Sequence, residues 1–145
     1  MSSWDAVAKV AKATRRLNKA ISGRRLPDKD LEEIAVAIES LALRFDSGSQ
    51  RNKLDDMLTR PHLAAIYAGQ YTPLELEDGD PIEFDPFSVA GGEYHPAAIG
   101  LSFFKESDES VIGKGTIDPM FAGPPERVHG GVQALIIDEV MGALN

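Results

Sequence analysis

The chain has 145 residues, 43% of them hydrophobic and 26% charged, which is typical of one globular domain with an appendage. It contains no cysteine, so disulfides, thiolate catalysis and cysteine-ligated metals are excluded. The net charge of -8 is uneven, because residues 1–25 carry +6 and residues 26–145 carry -14. The acidic majority argues against nucleic-acid binding, and the three scattered histidines predict no metal site.

The sequence predicts neither a membrane span nor a secretory signal. No run approaches the roughly 18 apolar residues of a span, and the N-terminus lacks the apolar core of a signal peptide. We therefore expect a cytoplasmic protein. Residues 1–25 are basic and amphipathic, which is also the profile of a mitochondrial transit peptide, and that alternative stays open.

Residues 1–60 are predicted to be a helical N-terminal region. Apolar residues at helical spacing predict a first helix over about residues 3–22, capped by Ser2 or Ser3. A second helix begins after Pro27 with Asp28 as its N-cap and runs toward Gly48. We expect these two helices to form an antiparallel hairpin, with Trp4 as an anchor of its interface.

Residues 61–96 are predicted to be an acidic connection rich in proline and glycine, after a short weak helix over 63–67. From Pro73 onward its prolines are Pro73, Pro81, Pro86 and Pro96, and its glycines include a Gly-Gly pair at 91–92. A segment of this length without regular structure is uncommon inside a compact domain. It is therefore expected to be a linker or a functional loop.

Residues 97–145 carry the most informative pattern. Two apolar runs on either side of a polar turn at 106–110 predict a β-hairpin, and a Pro/Gly loop over 119–127 follows it. From Val132 onward the chain is apolar in almost every helical direction, which predicts a buried central helix too short to cross a membrane.

Two carboxylates, Asp138 and Glu139, stand within this apolar helix. A buried carboxylate without a partner either costs several kcal/mol or has a raised pKa, so we expect one of them to have a catalytic role or to bind a cation. The alternative is that both lie where the helix emerges and bond a neighbouring strand or water. Directly before the helix, His129-Gly130-Gly131 offers backbone N–H groups at the positive end of the helix dipole. A developing oxyanion would be stabilised there.

The order His-Gly-Gly, then an acidic residue nine positions after the histidine, resembles the PaaI-type hotdog acyl-CoA thioesterases. The likeness covers residues 97–145, a third of the chain, and includes the order of strand, turn, strand, Pro/Gly loop and glycine-headed helix. It implies an α+β fold, in which an N-terminal helical hairpin is followed by a partial hotdog fold made of a β-hairpin and a central helix. The implied activity is hydrolysis of acyl-CoA thioesters in the cytoplasm, without a cofactor or a metal.

The resemblance also implies roles for individual residues. Asp138 acts as general base on water or as nucleophile, the Gly130 N–H polarises the thioester carbonyl, and His129 orients the loop or, alternatively, serves as the base. Gly131 and Glu139 are the expected substrate-binding residues. The expected partners are an acyl-CoA and a second copy of the chain, in a homodimer or a dimer of dimers.

Geometry supports the dimer independently of the family. Gly130 and Asp138 are eight residues apart, or about 12 Å along a helix, so one copy cannot bring both to one carbonyl. If both act in one site, they come from two antiparallel copies of the helix.

Two departures from the family pattern are expected to matter. No Asn or Gln lies between Gly123 and Val128, where many relatives carry one. Only two strands are predicted before the central helix and none after it, so we expect a domain that is C-terminally incomplete or completed by another polypeptide. The alternatives are a non-catalytic assembly protein with a vestigial hotdog domain, and an acyl-CoA hydratase or dehydratase of the same fold.

Overall fold

The first helix, α1 (Trp4–Gly23), follows the predicted apolar spacing over twenty residues. The structure is a computed structural model, and it describes residues 4–70, 75–83 and 85–143. The predicted caps Ser2 and Ser3, and also Pro73, lie outside these residues. The chain has an α+β fold with two compact units, one made of residues 1–25 and 76–145 and the other of residues 26–75.

The unit of residues 26–75 is helical. Helix α2 (Asp28–Asp46) has Pro27 as its N-cap and no capping side chain, so the prediction of Asp28 as the cap was wrong by one position. Helix α3 (Lys53–Leu58) begins where Asn52 accepts a hydrogen bond from the Leu54 N–H, and it packs on α4 (Pro61–Tyr67). The predicted weak helix is thus present, and its start is extended to Pro61.

The other unit contains a three-stranded antiparallel sheet in the order β1 (Pro81–Ile82), β2 (Ser102–Ser107) and β3 (Ser110–Lys114). The predicted hairpin is confirmed as β2 and β3. Strand β1 was not predicted, because its two residues stand between acidic neighbours and one of them is a proline. Proline is tolerated there since β1 is an edge strand.

Helix α5 (Gly130–Gly142) packs on β3. A buried cluster of Ala90, Ile99, Leu101 and Phe103 lies at the centre of this unit. Partly buried residues of α5 cover it, namely Val132, Leu135, Ile136, Val140 and Ala143. At Gly113 the sheet and α5 come close together, since a Cβ atom there would lie 2.8 Å from Cγ2 of Val140.

The prediction that α5 is buried on all sides was wrong. None of its residues is fully buried, and the side chains of Ile137 and Met141 are 60% and 63% exposed. The physical reason is that the described strands cover only one side of the helix, so its opposite side faces water within one copy of the chain.

Helix α1 is grouped with the sheet and α5, whereas α2 belongs to the helical unit. The Trp4 ring stacks on Tyr94 at a centroid distance of 4.9 Å and meets the edge of Phe87 at 5.5 Å. The Arg15 guanidinium donates to the backbone carbonyl of His95 at 2.7 Å. Trp4, predicted as an anchor of a helical hairpin, thus packs on the loop over residues 85–96.

The loop over residues 85–96, predicted as part of an irregular connection, is a tight series of turns. The N–H of Tyr94 donates to the Pro86 carbonyl at 2.8 Å, and that of Gly92 donates to the Ser88 carbonyl at 2.8 Å. A Cβ on Gly92 would meet both carbonyl oxygens at 2.5 Å or less, so only glycine fits. Among the described residues, no helix is both long and apolar enough to cross a membrane.

Candidate functional site

His129 is the N-cap of α5. Its Nδ1 atom accepts a hydrogen bond from the N–H of Gly131 at 3.1 Å, and its carbonyl accepts from Val132 and Gln133. A side chain that accepts a first-turn N–H satisfies one of the free donors at a helix start. His129 therefore holds the helix start in place.

The two glycines differ in what their N–H groups do. Gly131 donates to His129, so its N–H is already occupied, contrary to the expectation that both glycines offer free donors. The N–H of Gly130 donates to no acceptor within the described part of the chain. No atom lies within 4 Å of a Cβ built on Gly130, and the residue is exposed. One donor therefore points into open space at the positive end of the helix dipole.

The loop before α5 is held by a short antiparallel bridge. His129 donates to the Phe121 carbonyl at 3.0 Å and Gly123 donates to the Arg127 carbonyl at 2.9 Å. At its tip, the Arg127 N–H donates to Pro124 and Glu126 has a φ of 64°. Proline followed by a positive φ is typical of a type II turn. The bridge fixes the chain that leads into Gly130.

Asp138 is exposed on the side of α5 that faces away from the sheet. With 100° between successive helical residues, it shares this side with Ala134 and Met141, both exposed. No hydrogen bond or ion pair joins its carboxylate to another of the residues that the structure describes. Within one copy of the chain, the carboxylate of Asp138 is therefore exposed to water.

Glu139 lies on the other side of α5 and has a partner that the sequence analysis missed. The hydroxyl of Ser88 donates to its Oε2 atom at 2.8 Å and accepts from the Ala90 N–H at 2.9 Å. Ser88 is a buried polar residue, with 5% of its surface exposed. The sequence shows a serine shortly before the Gly-Gly pair at 91–92, but nothing local predicts that it contacts Glu139, because only the fold brings the two residues together. Glu139 is engaged in holding the helix to the 85–96 loop.

Gly130 and Asp138 lie on one continuous helix, as predicted. Their separation along the helix axis is about 12 Å, since each residue rises 1.5 Å. A carbonyl bound at one of them cannot be attacked from the other within the same copy, because reacting atoms come within about 3 Å. Gly130 and Asp138 therefore lie at opposite ends of an exposed helix face and cannot act on one carbonyl within the same copy.

The described residues include no group of three or more metal-ligating side chains that could hold a metal ion. Comparisons with protein-family models, with curated proteins and with solved structures return no match to this chain.

Proposed function

We propose that the chain hydrolyses acyl-CoA thioesters at sites formed between two copies of α5. The observation that carries the proposal is the exposure of both Gly130 and Asp138 on a helix whose outer face is apolar. A free backbone donor at a helix start can stabilise the oxyanion of a thioester intermediate. An exposed carboxylate without a partner can act as general base or nucleophile.

Ala134 supports a symmetric pairing of these helices. It stands midway between these two residues, four positions after Gly130 and four before Asp138, and it is exposed. A two-fold axis at Ala134 therefore brings each Asp138 opposite the Gly130 of the other copy. The small side chain permits close approach, and the same pairing covers the exposed Ile137 and Met141.

The first experiment measures thiol release from a series of acyl-CoA substrates. We expect the chain to release CoA, and we expect Asp138→Asn to lower the rate by about 10²- to 10⁴-fold, the range for loss of a general base. The matched control is Asp46→Asn, an exposed Asp-to-Asn change in α2. Equal rates for the chain and Asp138→Asn, with thermal unfolding unchanged, would remove Asp138 from the mechanism.

The pairing of the helices is tested by disulfide formation, which is simple because the chain has no cysteine. In helices 8–10 Å apart, Cα atoms at the crossing point are about 3.4–5.4 Å apart, which overlaps the range of disulfides. We expect Ala134→Cys to give a covalent dimer on mild oxidation. The control Gln133→Cys is also exposed but points about 100° away. Equal crosslinking of both variants would contradict the pairing.

A further inference from the structure

A basic groove lies between the second half of α1 and the short 3₁₀ helix Pro119–Phe121. Its volume is about 400 Å³, and Arg16, Lys19 and Arg24 line it on the α1 side. Asp118 and Pro119 form the opposite wall. All of these residues belong to the unit that also contains α5.

The groove is positively charged on a chain that is strongly acidic overall. Three cations face one carboxylate there, whereas the whole chain carries a net charge of -8. The C-terminal end of α1 contributes about half a negative charge through the helix dipole, which leaves the groove clearly positive. Because the chain as a whole is negative, it does not attract anions in general. Attraction of an anion is therefore local to the groove.

Lys19 and Asp118 form an ion pair within the groove, which leaves the two arginines as its unpaired charges. The Lys19 ammonium is 2.8 Å from Oδ2 of Asp118. The hydrogen bond from Lys19 holds the pKa of Asp118 below its usual range, so the carboxylate is ionised at neutral pH. Arg16 and Arg24 form no ion pair with a carboxylate of the described residues, so their charges are available to a ligand.

The groove is connected to the start of α5 by a short run of backbone hydrogen bonds. Phe121 donates to the Asp118 carbonyl at 2.9 Å, and His129 donates to the Phe121 carbonyl at 3.0 Å. Three residues span at most about 11 Å, and paired strands add about 5 Å. The step from His129 to Gly130 adds at most about 3.6 Å, so the wall of the groove is within roughly 20 Å of the free Gly130 N–H.

We propose that this groove binds the phosphate groups at the nucleotide end of coenzyme A. Phosphates bind arginine through paired charge-assisted hydrogen bonds. The upper limit on the distance to Gly130 is short enough for an extended ligand that carries phosphates at one end and a thioester at the other. This inference rests on the proposed function, because that function supplies the phosphorylated ligand.

The test measures binding of adenosine 3′,5′-diphosphate and of coenzyme A by titration calorimetry at low salt. We expect Arg16→Ala/Arg24→Ala to weaken both by about tenfold for each arginine. The matched control is Lys9→Ala/Lys12→Ala, which removes the same charge from exposed positions of α1 that do not line the groove. Equal weakening in the two double variants would overturn the proposal.

A second variant changes affinity in the opposite direction. Asp118→Asn removes the carboxylate and releases Lys19, while an asparagine side chain can still accept the 3.2 Å hydrogen bond from Met120. We expect it to bind adenosine 3′,5′-diphosphate several-fold more tightly, and added NaCl to reduce the gain. Unchanged or weaker binding would count against the groove.

The outcomes separate this inference from the proposed function. Arginine-dependent binding without thioester hydrolysis would remove the activity and keep the phosphate site. Hydrolysis whose KM for acyl-CoA is equal in the chain and in Arg16→Ala/Arg24→Ala would keep the activity and remove the site. Arginine-dependent binding to phosphatidylserine vesicles, with none to adenosine 3′,5′-diphosphate, would overturn the proposal in favour of a membrane surface.

Discussion

The Ser88 hydroxyl donates a 2.8 Å hydrogen bond to Oε2 of Glu139 across a sequence separation of 51 residues. The serine is buried and the carboxylate is half-buried, so the bond lies at the edge of the core. It joins the 85–96 loop, which α1 holds through Trp4 and Arg15, to the helix that carries Asp138. Helix α5 is therefore held from the sheet side and from the loop.

Loss of this hydrogen bond should destabilise the fold. Ser88→Ala leaves a half-buried carboxylate and the Ala90 N–H without their partner, and we expect it to lower the free energy of unfolding by about 1–3 kcal/mol. Urea unfolding of Ser88→Ala, Glu139→Ala and the double variant measures the coupling, because neither single variant can form the hydrogen bond. The control is Ser102→Ala, an exposed serine of β2 whose hydroxyl forms no hydrogen bond with another described residue. Additive effects of the two single changes would show that the pair is not coupled.

A side chain at Gly113 should push α5 away from the sheet. Because a Cβ there would lie 2.8 Å from Cγ2 of Val140, we expect Gly113→Ala to cost about 1–3 kcal/mol of stability. Adding Val140→Ala removes the clashing atom, so the alanine at 113 should be tolerated better in that background. Thermal or urea unfolding of the four combinations checks this, and equal costs in both backgrounds would place the strain elsewhere.

The Gly130 N–H can be removed without loss of the helix. Proline is favoured at the first position of a helix, and His129 before it has a φ of -56° and a ψ of 134°, which is compatible with a following proline. We expect Gly130→Pro to lower thioester hydrolysis by about 10²- to 10³-fold at unchanged stability, the range for loss of one oxyanion donor. Gly130→Ala keeps the N–H and should retain activity. Full activity of the proline variant would exclude this donor.

The contact between α1 and the 3₁₀ helix should weaken in acid. The hydrogen bond from Lys19 lowers the pKa of Asp118 in the folded chain. A lowered folded pKa means that the stabilisation is complete above the usual aspartate pKa of about 3.9 and is lost as the pH falls through the lower folded value.

The measurement compares the unfolding free energies of the chain and of Asp118→Asn between pH 7 and pH 3. The chain should be the more stable at neutral pH, and the difference should shrink below about pH 4. Asp46→Asn, which removes an exposed carboxylate of α2, should give a difference that does not follow this course. A gap for Asp118→Asn that stays constant down to pH 3 would contradict the role of the ion pair.

Local patterns in the sequence determined much of the secondary structure. The apolar spacing of α1 and α2, the polar turn between β2 and β3, and the His-Gly-Gly start of α5 each depend on neighbours within a few residues, so each could be predicted. The position of Asp138 eight residues after Gly130 on one helix followed from the same spacing.

Tertiary structure alone decided which of these elements meet. Strand β1 forms because Pro81 and Ile82 pair with Phe104 and Phe103 of β2. Two residues are too few for an alternating pattern that would predict a strand. The adjacent carboxylates differ in their surroundings: Glu139 accepts a hydrogen bond from the buried Ser88, whereas Asp138 is exposed. This difference depends on which face of α5 the sheet covers. A helix that is apolar in almost every direction has no preferred face of its own, so long-range packing decides which face is covered, and here it leaves Gly130 and Asp138 exposed.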